Sequence, residues 1–303
     1  MVEIKDFSSF VVPKGFVEPS GCSEKCYLTL PDSNGSTSNL TEFGLFKFPK
    51  QENTYEYVSE HLASLLACRL GVDCCEVDIG TYNGRFGCFS HWMYSIGETR
   101  FVEGTSLLES YYPDYDKDHP YKEGKNHYAI ETIVPCLTSN KMREDFIKML
   151  IFDFLIGNSD RHHSNWAILQ DHNSPIMRFS PLYDNSSSLC AYTSDKQAEL
   201  CLAQEASMMS LCDTKSRSQI GISNVKKPRH STIMCYIINH YLNFSAYPEV
   251  FCLIGSILDL SDNEISDLIN EYRIILPSNR IILLIKFIRH KRDLLRRIYQ
   301  DKN

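Results

Sequence analysis

Apolar and polar positions follow two different rhythms along this chain. In the first hundred residues, short apolar runs are separated by turn residues. This pattern predicts strands around a turn at "EPSGCSEK" within residues 16 to 48. "EFGLFKFP" reads as a strand closed by Pro49. Between 55 and 70, Tyr55, Val58, Leu62, Leu65 and Leu66 recur at helical spacing, and Gly71 supplies the stop. "CEVDIGTYNGRFGCFSHWMY" holds two strand-like runs around Asn83-Gly84, a strong hairpin signal.

Beyond residue 97 the rhythm turns helical. Residues 104 to 126, rich in Tyr, Asp, Pro and Gly, are expected to form an irregular insertion. Residues 140 to 156 fit a buried helix, and the polar stretch 193 to 231, including "NVKKPRH", reads as loop. Four helices should follow. One opens at "SDNE", where Ser261 and Glu264 make a capping box. The last, "NRIILLIKFIRHKRDLLRRIYQDK", is apolar on one side and basic on the other. Its basic face is expected in solvent, with an acidic partner as the sharper alternative. The expected fold class is α+β, with a small β-rich lobe over residues 1–97 and a larger helical lobe over 98–303.

Composition narrows this picture. The 303 residues are 43% hydrophobic and 23% charged, ordinary for a soluble globular chain. A net charge of −7 weighs against direct nucleic-acid binding. Twelve cysteines are many, but the N-terminus lacks the apolar core of a signal peptide. No apolar run reaches the roughly 18 residues of a membrane span. Reduced, mostly buried cysteines in a cytoplasmic protein are therefore expected. Cys22 and Cys26 have zinc-like spacing, yet no second ligand pair follows, so two small strand residues is the simpler reading.

Candidate chemistry centres on "IFDFLIGNSDRHHSNWAIL", residues 151 to 169, where a polar knot interrupts two apolar segments. Phosphoryl transfer needs a carboxylate at the attacking hydroxyl and oxygen ligands for magnesium. Asp160 and Asn165 have the Asp-x4-Asn spacing of a kinase catalytic loop, a weak signal by itself. Asp184, in "FSPLYDNSSSL", follows Asn165 by 19 residues, room for two short strands that would bring it back beside Asn165. A turn aspartate is the plainer reading of that motif alone. Lys47 lies between Phe46 and Phe48, and Glu60 on the next helix could pair with it; a snorkelling lysine is the alternative. "SGCSEK" has one glycine and carries no weight alone.

The joint order of these motifs is more specific. In "SGCSEK" (20–25), "FKFP" (46–49), "SEHLASLLACRLGV" (59–72), "DFLIGNSDRHHSN" (153–165) and "SPLYD" (180–184), the chain resembles the HipA-like Ser/Thr protein kinases, and its length resembles their short CtkA-like and HipT-like members. The resemblance implies a two-lobed protein-kinase-like fold that uses ATP and Mg2+. It implies Asp160 as catalytic base, Asn165 and Asp184 as magnesium ligands, and Lys47 as ATP lysine oriented by Glu60. Gly21 and Ser23 of the turn would lie at the nucleotide, and Arg161 and His162 would brace the loop. His163 receives no role.

The same resemblance implies a protein acceptor, with an aminoacyl-tRNA synthetase as the class some members modify. It also implies a toxin with a small antitoxin partner, or an effector. Family members autophosphorylate a serine in the glycine turn. The serine three residues before the glycine is here Glu18, so Ser20 is the first candidate and Ser23 the second. Lys226, Lys227 and Arg229 are candidates for docking an acidic partner or phosphates, against the simpler reading of a solvated loop. Two other functions stay open: a phosphoinositide-type lipid kinase, because "DRHHSN" also resembles that loop, and a kinase-fold binding module without turnover.

Overall fold

The computed structural model describes residues 1–303 except 17, 18, 20–23, 38, 39, 41, 52, 53, 123, 124, 224, 302 and 303. The first lobe is built on five strands: β1 (Ile4–Asp6), β2 (Lys25–Leu28), β3 (Gly44–Lys47), β4 (Val77–Tyr82) and β5 (Arg85–His91). They form one sheet of order β1-β4-β5-β3-β2, antiparallel except for the β1–β4 pair. β4 and β5 turn at Asn83 and Gly84, whose φ values of 51° and 76° are those of a tight hairpin with both central residues left-handed. One face of the sheet carries Phe7, Phe10, Phe46 and Phe89, with ring centroids 4.8–5.7 Å apart. Gly87 makes room for this cluster, since a Cβ there would collide with the Phe46 ring.

Helix α1 (Glu56–Arg69) crosses between β3 and β4, and Gly71 follows it at φ 67°. Its Val58, Leu62, Ala63 and Leu66 belong to the large core of the helical lobe, not to the phenylalanine cluster. The helix that carries Glu60 is therefore anchored in the second lobe.

That lobe begins with β6 (Thr99–Glu103) and α2 (Gly104–Tyr111). The expected irregular insertion thus opens with a helix. Leu107 and Leu108 are buried on it, a short apolar pair that the surrounding Tyr, Asp and Pro obscured. Two short strands, β7 (Tyr121–Lys122) and β8 (Lys125–Asn126), and a helical turn, α3 (Ile130–Ile133), lead to α4 (Asn140–Ile156). Ser139 caps α4 by accepting from the Met142 amide. Thirteen of its 17 residues are buried, so it is the helix at the centre of the core rather than an amphipathic surface helix. β9 (Ala167–Asp171) and β10 (Met177–Phe179) follow, and with β6 they make a sheet of order β10-β9-β6.

The stretch expected as loop over 193–231 contains α5 (Asp195–Ala203), α6 (Glu205–Met209) and a π-helical turn, Ser210–Thr214. Ala198, Cys201, Met208 and Cys212 bury one side of these short helices, a stripe too sparse to read against the polar residues around it. α7 (His230–His240), α8 (Pro248–Asp259), α9 (Asp262–Asn270) and α10 (Ser278–Gln300) complete the four expected helices, and α9 opens with the Ser261–Glu264 capping box.

The reading of α10 needs correction. Arg280, Lys291 and Arg292 are buried on it. Lys291 follows Leu284 and Phe287 and precedes Leu295 at helical intervals, so it sits in the apolar stripe. All eleven cysteines among the described residues are free; five are buried and three exposed. Cys22 lies outside the described residues, and Cys26 is half-buried on β2. No cluster of three metal-ligating side chains occurs among the described residues. No helix among them is long and apolar enough to cross a membrane.

Candidate active site

The polar knot starts where α4 ends. Gly157 takes φ 67° to close the helix, and a Cβ there would meet Phe287 of α10 at 2.7 Å. Asp153, in the last turn of α4, is buried and needs a partner. Arg161 supplies it. Its Nη2 donates to Asp153 Oδ1 at 2.9 Å and its Nε to Oδ2 at 3.0 Å, a two-pronged pair with both side chains at most 3% exposed. The guanidinium also donates to the backbone carbonyls of Asn165 and Tyr183, each at 2.7 Å, and to Asn185 Oδ1 at 2.6 Å. One buried cation thereby holds the loop's start, its end and the chain beside Asp184. Burial pushes the Asp153 carboxyl upward against the pull of Arg161, while Asp153 outweighs burial and keeps the guanidinium charged.

Around this pair the loop satisfies itself. Asn158 donates to Asp153 and accepts from the Asp160 amide at 3.0 Å. Asn165 Nδ2 donates to the Asp160 carbonyl at 2.8 Å, and His162 Nδ1 accepts from the Ser164 amide at 3.2 Å. Tyr128 donates to the Arg161 carbonyl and receives the Trp166 indole N–H, both at 2.9 Å. Among the described residues, the Asp160 carboxylate itself accepts no hydrogen bond. His163 packs edge-on against Tyr115 and Tyr128, and burial lowers its pKa.

Asp184 reaches the site by a different route. β9 and β10 form the return connection, and the chain before Asp184 pairs with the one leaving α1: Leu182 donates to Asp73 O at 2.9 Å and Cys75 to Leu182 O at 2.8 Å. Asp184 has φ 53°, a conformation Asp tolerates better than most residues. Its Oδ1 accepts from Lys47 Nζ at 3.3 Å and from Ser186 Oγ at 3.1 Å. Lys47 sits on β3 between β2 and β5, an interior position, and also faces Glu60 Oε1 at 3.6 Å. Glu60 Oε1 accepts from the Asn185 amide at 3.1 Å, and its buried Oε2 has no hydrogen-bond partner among the described residues.

The charges here are tightly coupled. Burial would lower Lys47, but Asp184 and Glu60 outweigh it and hold the ammonium protonated far above its usual range. Burial would raise Asp184, but Lys47 and Ser186 hold its carboxyl at about 2. Glu60 moves the other way, raised chiefly by burial despite Lys47.

Lys25, Lys47 and Lys50 line one pocket with Asp184, Ser186 and Tyr57. Lys50 Nζ stands 5.8 Å from the Tyr192 ring centroid. Burial would lower its pKa, but Tyr192, Asp160 and Asp184 together raise it. Three lysines and one carboxylate thus share the lining of this pocket. The oxygen donors of Asn165 and Asp184 suit magnesium, which takes few protein ligands and keeps phosphate and water oxygens.

Gly21, Ser20 and Ser23 lie outside the described residues. Lys226, Lys227 and Arg229 are exposed and away from the lysine pocket, on a loop that meets Ser159 through Gln219. Asp153, Asn158, Asn185, Lys25 and Lys50 escaped sequence reasoning. Asp153 had a signal, a carboxylate inside the apolar run "IFDFLI" with Arg161 the next cation along. A second missed group lies beneath the loop. Ser216 Oγ is 2.8 Å from His230 Nδ1 and accepts from Lys291 Nζ at 2.8 Å, all three buried. The Lys291 ammonium otherwise faces the rings of Phe154 and Phe287.

The HipA-like C-terminal domain family model matches residues 17–243. The serine/threonine-protein kinase CtkA of Helicobacter pylori is 26% identical over 179 residues, 54% of this chain and 53% of that protein. A relative from Sinorhizobium fredii is 33% identical over 95 residues, 31% of this chain and 22% of its own length. The alignments thus span about half or less of these curated relatives. Among solved structures, CtkA, a proinflammatory kinase of H. pylori, superposes with a TM-score of 0.77 at 18% identity, over 99% of this chain and 100% of that one. Shewanella oneidensis HipA, solved with HipB and operator DNA, gives 0.54 at 15% identity, over 96% and 66%. These structural likenesses establish the two-lobed α+β fold.

Proposed function

The chain belongs to the HipA-like C-terminal domain family, and on that premise we propose that it is an ATP- and magnesium-dependent kinase that transfers the γ-phosphoryl group to a protein serine or threonine hydroxyl. The observation that carries this reading is the placement of Lys47 between Glu60 and Asp184, at a pocket with two further lysines, beside a loop whose Asp160 carboxylate accepts no hydrogen bond among the described residues.

Asp160 is the base. Its backbone is clamped by Asn158 and Asn165, so the carboxylate is pre-positioned to orient the acceptor hydroxyl and take its proton. Lys47, with Lys25 and Lys50, neutralises the phosphates. Glu60 orients Lys47, and Asn165 and Asp184 hold magnesium. The ion, when bound, would supply charge neutralisation at the phosphate oxygens.

The test has two arms. ATP with Mg2+ should raise the melting temperature of the folded chain, because a ligand that binds only the native state stabilises it by about 2.7 kcal/mol at a hundredfold excess over Kd. No shift at millimolar ATP counts against the reading. Labelled ATP should then mark a protein acceptor and not a lipid; the reverse result selects the lipid-kinase alternative.

Regulation and partners extend the proposal. A phosphate at Ser20, with Ser23 second, adds roughly −1.5 to −2 charge at the turn and should oppose ATP binding. Mass spectrometry of segment 16–25 after incubation with ATP and Mg2+ checks this, and Ser20→Ala should stay active longer. A small antitoxin-like partner and an aminoacyl-tRNA synthetase substrate are the partner classes to test, by co-purification and by phosphorylation of whole lysate.

A further inference from the structure

The stretch from Lys215 to Arg229 contains five cations and no carboxylate, in a chain of net charge −7. Lys215, Arg217, Lys226, Lys227 and Arg229 are all exposed. Their backbone is not a loose loop. Arg217 pairs with Arg229 across an antiparallel bridge, and Ser218 N donates to Pro228 O at 3.0 Å. Ile222 and Val225 bridge nearer the tip. Gly221 is stitched to the segment before α3, donating to Tyr128 O at 2.9 Å and accepting from Ile130 N at 3.0 Å. Ser223 donates twice to Glu131, each at 2.8 Å.

Two features separate this hairpin from an ordinary solvated charge run. Ser223 and Lys227 hold φ values of 47° and 49°, a left-handed conformation that costs non-glycine residues energy and persists where the surroundings enforce it. Arg217 Nη1 donates to the Lys227 carbonyl at 3.1 Å, which holds the strained turn. The hairpin also touches the catalytic loop, since Gln219 Nε2 donates to the carbonyl of Ser159, the neighbour of Asp160, at 3.0 Å. The nearby carboxylates are already engaged. Asp213 lies 3.5 Å from Arg229 and takes the Ser231 hydroxyl at 2.5 Å, and Glu131 is held by Ser223.

We propose that this hairpin is a docking surface for an acidic segment of the protein whose hydroxyl is phosphorylated, a segment rich in Asp and Glu near the acceptor residue in sequence. The inference rests on the kinase reading for the identity of the partner, but the binding itself does not require turnover. A rigid cationic rim beside the acceptor site complements such a segment and steers it to Asp160.

Fluorescence anisotropy on the full chain tests it. The probes are a labelled serine peptide with an Asp/Glu-rich flank, its Asn/Gln counterpart, and an RNA oligonucleotide of equal charge. The acidic peptide should bind roughly tenfold tighter than the neutral one, and weaken with salt. The double variant Lys226→Glu, Lys227→Glu should lose most of that advantage, Lys226→Gln with Lys227→Gln part of it, and the arginine pair should retain it. Circular dichroism confirms that each variant is folded. Equal binding of acidic and neutral peptides overturns the proposal, as does a charge-reversed variant that binds normally. Tighter binding of RNA than of the peptide overturns the choice of partner. Peptide binding without phosphate transfer keeps the docking surface and sinks the kinase reading; transfer with no acidic preference does the reverse.

Discussion

Asp160 and Arg161 are adjacent in the chain and opposite in environment. Arg161 is 1% exposed, paired with Asp153 and bound to three further oxygens. Asp160 is half-exposed, and its carboxylate accepts no hydrogen bond among the described residues. The polar knot therefore has an inner side that is structural and an outer side that is left available. One charged pair, replaced by nothing apolar, fixes the loop so that its neighbour can remain unpaired.

The largest expected effect falls on the inner side. Arg161→Met should cost about 3–5 kcal/mol of stability, since it leaves Asp153 buried and uncompensated. Urea unfolding measures it; a loss below about 1 kcal/mol would remove the contrast. On the outer side, Asp160→Asn should leave stability within about 0.5 kcal/mol and lower phosphate transfer about 10²–10⁴-fold. Transfer assays beside the same unfolding curves check both halves, and near-normal transfer would strip Asp160 of its role.

Lys291 is a buried cation with no carboxylate hydrogen-bonded to it among the described residues. Burial lowers its pKa to about 8, against the nearby Cys212, Asp213 and Cys190. The folded value lies below the unfolded one, so the unfolded chain binds more protons between about pH 8 and 10.5, and stability should rise with pH through that window. Lys291→Met should be more stable than the parent at pH 7 and lack this rise, by about 2–3 kcal/mol. Thermal or urea unfolding of both proteins across that range decides it; parallel pH profiles would show that Lys291 finds its partner elsewhere. The smallest effect is His162→Ala, which removes the acceptor of the half-buried Ser164 amide and should cost about 1 kcal/mol or less.

Much of this molecule was legible in its residues. Strong local signals were read correctly: the Asn83-Gly84 hairpin, the helix from Glu56 ended at Gly71, α4 and the Ser261 capping box all depend on contacts within a few residues. The short helices α2, α5 and α6 were missed, because their buried faces amount to one to three side chains each and burial decides what propensity does not. The polar motifs were found by type and order, and the structure sets Lys47, Glu60 and Asp184 side by side.

By itself, then, the sequence determined the local elements and which polar residues had to find partners. For Asp153 and Lys291, tertiary structure decided who those partners are. Asp153 could have met any cation, and only the close of α4 at Gly157 folds Arg161 back onto it. Lys291 falls on the stripe with Leu284, Phe287 and Leu295 rather than on a basic face, and it is packed under the loop that follows α4, against Ser216. The reason is physical. Secondary structure is set largely by short-range sterics and hydrogen bonding, whereas the burial of a charge depends on which distant segments close over it.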